Sequence, residues 1–141
     1  MQLRTHLFTG LLAVALCVSS YGQSASKPAQ TMATATNDSL LRALSGTWEI
    51  DLRPAPDAAP YLKEFVVSGY SDGSLSGVFY DTPFSDGKVN TAWGVIYFAF
   101  TTADQSGTYF HSGYLNGNKL YGQSYSAGRG FVIPWINGHK K

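Results

Sequence analysis

Between Thr47 and Ile136, apolar and polar residues alternate with a period of two, and tight-turn residues interrupt the alternation at short intervals. In an extended strand every second side chain points to the same face, so this period marks half-buried β-strands. Thr47, Glu49 and Asp51 alternate with Trp48, Ile50 and Leu52, and similar segments follow at 63–70, 74–80, 93–102, 108–115, 118–126 and 129–136. Asp72-Gly73, Asn116-Gly117 and Gly128-Arg129-Gly130 supply turns between them, because such residues tolerate the left-handed backbone of short hairpins. No helical pattern intervenes, which predicts an antiparallel meander. First and last strands of a meander pair antiparallel only when the number is even, so an eighth strand is expected at 87–91. The expected fold class is all-β: an eight-stranded antiparallel up-and-down β-barrel with a short N-terminal helical turn, wide enough to hold one small ligand. Pro134 removes a ladder donor and predicts a bulge or an imperfect seam.

The N-terminus reads differently. Arg4, an apolar run over 7–18 and the small residues Ser20 and Gly22 have the layout of a secretory signal peptide over 1–22. A run of roughly twelve apolar residues is too short to cross a bilayer, so no transmembrane anchor is expected. Residues 23–37, rich in Ser, Ala, Thr and Gln, read as a disordered linker, and 38–141 as the barrel domain. Asp38 or Ser39 is expected to cap a helical turn carrying Leu40, Leu41 and Leu44. Cleavage would remove Cys17, the only cysteine, so packing and not a disulfide must stabilise the fold. It would also remove Arg4, bringing the ten Lys and Arg to nine, equal to the nine Asp and Glu. These charges are dispersed, which argues against nucleic acid as a partner.

Gly46-Thr47-Trp48 heads the first strand. A Gly-x-Trp in that place resembles the signature of the calycin barrels, the lipocalin and avidin-like families, in which the Trp plugs the closed end. The resemblance extends from Leu44 to about Ile136. The run Asp72-Gly73-Ser74-Leu75-Ser76-Gly77 looks more avidin-like, the leading helical turn and long first loop more lipocalin-like, and both subgroups stay open. Lipocalins usually cover the Trp with an Arg from the end of the last strand. Here Arg129 begins that strand, so Lys140 or His139 would have to cover Trp48. The lipocalin Thr-Asp-Tyr turn is replaced by Asn116-Gly117-Asn118. Against the avidins, Ile50 stands where a polar biotin contact is expected and Phe79 where a Tyr is typical, which disfavours biotin.

If Trp48 marks the closed end, alternating strand directions place the connections 53–62, 81–85, 103–107 and 127–130 at the open end. The first contains Pro54, Pro56 and Pro60 and reads as a lid. Tyr109, His111, Gly113 and Leu115 share one strand face; Leu120, Gly122, Ser124 and Ser126 share the next, their small residues leaving space or fitting a tapering core. The segment 93–100 is apolar on both faces. Tyr97 is assigned to the lumen, which puts Ile96, Phe98 and Phe100 outside, where the N-terminal segment or a second subunit would have to cover them. His111 reads either as a structural hydrogen-bonded histidine or as a ligand contact. Arg129 reads as a cation paired with Asp81 or Asp104, or as a clamp for an anionic head group.

The expected function is that of an exported, non-enzymatic protein, secreted or periplasmic, that holds a small hydrophobic or amphipathic molecule. Tyr97, Tyr109, His111, Ser124 and Arg129 are its candidate contacts. No cofactor and no metal are expected, because no His, Cys or carboxylate cluster has ligand spacing. The alternatives are a structural module with a filled barrel and, on the strength of His111 with Tyr97 or Tyr109, a lyase or isomerase. Intact mass of the exported protein is expected to correspond to a start close to Gln23 without an acyl group; a lipidated Cys17 at the mature terminus would contradict the cleavage site.

Overall fold

The computed structural model describes residues 37–141, so the signal peptide and nearly all of the expected linker lie outside the described residues. Helix α1 spans 37–44. Asp38 and Ser39 therefore lie within its first turn instead of capping it. Nine strands follow: β1 Gly46–Asp51, β2 Leu62–Ser71, β3 Ser74–Phe79, β4 Thr82–Pro83, β5 Ser85–Asn90, β6 Ile96–Asp104, β7 Gly107–Asn116, β8 Lys119–Ser126 and β9 Phe131–Lys140. Every pairing is antiparallel. β4 is a two-residue stub bound only to β3, and the other eight close on themselves as β1-β2-β3-β5-β6-β7-β8-β9. This is the closed eight-stranded barrel that the alternation predicts, with β5 as its expected eighth strand.

The closed end is organised around Trp48. Its indole Nε1 donates to the carbonyl of Leu44 at 2.7 Å, tying the last turn of α1 across the barrel base. Trp48 and Lys140 are register partners. The Lys140 ammonium lies 5.6 Å from the Trp48 ring centroid and donates to the Ala43 carbonyl at 3.1 Å. Lys140 thus provides the cover that the sequence left to Lys140 or His139. β9 reaches this far because Asn137, at φ +53°, is accommodated within the strand. Asn137-Gly138 looks like a turn in the sequence, but the neighbouring pairings shift register there and the strand continues.

The central segment requires two corrections. β6 begins at Ile96, because an Asx turn, with the Ala92 amide on the Asn90 carboxamide oxygen at 2.9 Å, keeps Trp93 out of the sheet and 78% exposed. The face assignment is also reversed: Ile96, Phe98 and Phe100 point inward, and Tyr97 points outward. Register explains the reversal. Phe98 pairs with Gly113 and Phe100 with His111, and directly opposed residues share a face. The interface inferred from Ile96, Phe98 and Phe100 falls with that assignment. The outer wall instead carries Tyr97, Tyr114 and Tyr121 in one row, with successive ring centroids 6.0 and 5.0 Å apart.

Inside, aromatic rings fill the middle of the barrel. Phe65 stacks on Phe98 and Phe100 at 5.3 and 5.1 Å, and Trp135 stacks on Phe79 at 5.2 Å. Two glycines make room for them. A Cβ at 113 would lie 2.6 Å from the Phe98 ring, and one at 122 would lie 2.5 Å from the Trp135 ring. Gly122 is therefore a packing residue that fits the tapering core. Trp48→Ala removes a buried aromatic and its cap on α1, and is expected to cost about 3–5 kcal/mol in denaturant unfolding; an unchanged midpoint would show that Trp48 does not hold the base together.

Candidate functional site

Above the aromatic layer the barrel is open. A cavity of about 510 Å³ extends to the mouth, lined on its apolar side by Leu52, Phe79, Phe131 and Ile133 and on its polar side by Thr102, Tyr109, His111 and Ser124. Its residues come from the upper ends of the strands and from the connections assigned to the open end. The 53–61 connection contributes Pro54 and Tyr61, so only its two ends face the cavity. The connection returns onto β1: Asp51 accepts hydrogen bonds from the amides of Arg53 and Tyr61 at 3.0 and 2.9 Å and pairs with the Arg53 guanidinium. The Arg53 side-chain hydrogen bond, foremost, holds the Asp51 carboxyl below its usual pKa.

The floor is a chain of four side chains. Trp135 Nε1 donates to Ser124 Oγ, Ser124 Oγ is bonded to His111 Nδ1, and His111 Nε2 is bonded to Thr102 Oγ1, each at 2.9 Å. His111 lies 4.4 Å from the Phe79 ring and 4.7 Å from Phe100, between the aromatic layer and the cavity. Burial disfavours the charged imidazolium and pushes its pKa down to about 4. The ring is neutral at pH 7 and, with so acidic a conjugate acid, is a weak proton acceptor.

At the rim, Tyr109 Oη donates to the Asp104 carboxylate, 3.2 Å from either oxygen, and accepts from Arg129 at 3.1 Å. Arg129 also lies over the Phe131 ring at 5.6 Å. The expected pairing with Asp104 is thus relayed through Tyr109, while the guanidinium remains exposed. Its hydrogen bond to Tyr109 raises the Arg129 pKa further. On the opposite side the phenols of Tyr61 and Tyr80 meet in a hydrogen bond, with Lys63 Nζ 4.0 Å from the Tyr80 ring centroid. Tyr80 and Asp81 both have left-handed φ, 52° and 62°, in a turn where Asn and Gly are favoured.

Of the five residues selected from the sequence, Tyr109, His111, Ser124 and Arg129 meet around this cavity. Tyr97 does not: it lies on the outer wall against Trp93 and Tyr114. Sequence reasoning missed Thr102, Trp135, Tyr61 and Tyr80. The tight β6–β7 turn could have identified Thr102, since its register pairs Thr102 with Tyr109 and puts both on the His111 face. Among the described residues, no group of three or more His, Cys, Asp or Glu is placed to hold a metal ion. Comparison with protein-family models, curated proteins and solved structures found no match to the chain.

The buried histidine makes stability depend on pH. Its folded pKa, about 4, lies below the ordinary histidine value of 6.5, so between these values the unfolded chain binds more protons. Stability from the neutral ring is complete above pH 6.5 and is lost as pH falls toward 4, by on the order of 3 kcal/mol. Urea unfolding is expected to follow this slope, and His111→Gln, which cannot titrate there, is expected to flatten it. An equal slope in both proteins would place the titration elsewhere.

Proposed function

We propose that the chain is an exported, non-enzymatic binding protein of calycin type that takes a small, mostly apolar molecule into the upper half of its barrel. The cavity carries this reading. At about 510 Å³ it lies within the usual range of small-molecule pockets, about 300–1,000 Å³, and combines apolar walls with a few convergent polar groups. The resemblance to calycins is supported at the base, where Trp48 is buried on the first strand and covered by a cation from the last. Filling by the protein's own side chains accounts for the lower half of the lumen, below His111. An acid/base pair would require a second titratable group within hydrogen-bond reach of His111, but both ring nitrogens face hydroxyls.

Binding is expected to be saturable for N-phenyl-1-naphthylamine, an uncharged apolar fluorophore, and to be competed by members of an apolar ligand panel. Ile133→Trp should fill the cavity and reduce the signal strongly, while Tyr114→Ser on the outer wall should leave it unchanged. If neither the probe nor any panel member binds wild-type protein saturably, a filled structural barrel replaces this reading.

A further inference from the structure

The polar chain at the cavity floor has one hydrogen more than it has internal bonds. Trp135, Ser124, His111 and Thr102 contribute one indole N–H, one imidazole N–H and two hydroxyl hydrogens, while three hydrogen bonds join them. The indole only donates, so the order starts from Ser124 accepting. If His111 carries its proton on Nδ1, that N–H also donates to Ser124, Thr102 donates to Nε2, and the Ser124 hydroxyl hydrogen is spare. If the proton is on Nε2, Ser124 donates to Nδ1, His111 donates to Thr102, and the Thr102 hydrogen is spare. Either tautomer leaves one hydroxyl donor without a partner in the chain. Thr102 Oγ1 and Ser124 Oγ make no other hydrogen bond to a described residue, and both side chains line the cavity.

We propose that the ligand carries an uncharged hydrogen-bond acceptor, a carbonyl or ether oxygen, at the end that reaches the floor, where it accepts the spare hydrogen of Thr102 or Ser124. The inference rests on the cavity being a binding site and names its ligand class. A pure hydrocarbon would leave a buried hydroxyl donor unsatisfied. A carboxylate would meet a single donor and a neutral imidazole there, too little to replace its hydration; Arg129, the cation in the cavity lining, is at the other end. Because the two tautomers place the donor on different strands, β6 or β8, the imidazole can present it to acceptors in two positions without moving. Burial keeps the ring neutral near pH 7 and preserves this choice.

Butyrophenone and butylbenzene, which share a ring and a chain but differ in the carbonyl, provide the test by competition against N-phenyl-1-naphthylamine. The ratio of their dissociation constants is expected to favour the ketone at least about tenfold more in the wild type than in Thr102→Val/His111→Phe/Ser124→Ala/Trp135→Phe, whose floor lacks the hydroxyls, the imidazole and the indole donor that loss of Ser124 would free. The infrared carbonyl stretch of carbonyl-¹³C butyrophenone bound to wild type should lie below its position in hexane, a measurement that does not require the variant to fold. Equal ratios, or a bound carbonyl at its hexane position, would overturn the acceptor proposal while leaving apolar binding intact. Failure of both compounds to displace the probe, with no other apolar compound binding, would remove the binding reading and this proposal together.

Discussion

The packing of aromatic rings across the middle of the barrel is the constraint on which the rest depends. Phe65, Phe79, Phe98, Phe100 and Trp135 meet there from four strands, and the absent side chains at Gly113 and Gly122 allow the rings to interpenetrate. Each buried ring gives up a large apolar surface to the core. In a chain without a cysteine among its described residues, this layer does the work that crosslinks do in other small domains. It also divides the lumen. Below it, Leu44, Trp48, Ile50 and Leu120 leave a solid base; above it, smaller and polar residues leave the cavity.

The strand count, the alternation of direction and the open end were legible because period-two patterning and turn residues are local signals. Tyr109, His111 and Ser124 were found for the same reason: alternation puts Tyr109 and His111 on one face of β7, and the small residues Gly122, Ser124 and Ser126 mark one face of β8. β6 was not legible in this way. Ile96, Phe98 and Phe100 alternate with Tyr97 and Ala99, so either face could have been buried by its composition. Only pairing with Gly113 and His111 decides it, and pairing is not a local property. Losing that face also hid Thr102, the outer end of the polar chain. The end of β9 was missed for a related reason, since Asn137-Gly138 favours a turn locally while the base of the barrel holds it as part of a strand.

A polar chain lying directly on an aromatic layer is unfavourable unless its members satisfy one another, because buried hydroxyl and imidazole groups lose hydration. An aliphatic floor would close the barrel with less risk of unsatisfied groups. Here the chain is anchored from below by the Trp135 indole, a donor that cannot reverse, and ends above in hydroxyls that face the cavity. That arrangement fixes how many donors the floor presents while leaving open which hydroxyl presents it. The rim is built in the opposite sense. Arg129, Tyr109 and Asp104 form an exposed, charged relay whose members keep access to water. A molecule spanning the cavity would therefore meet a single neutral donor at depth, apolar walls along its length and charge only at the mouth. Such a gradient sets the direction in which an amphipathic guest would lie, since burying its polar end against the walls would forfeit hydration with no compensating bond.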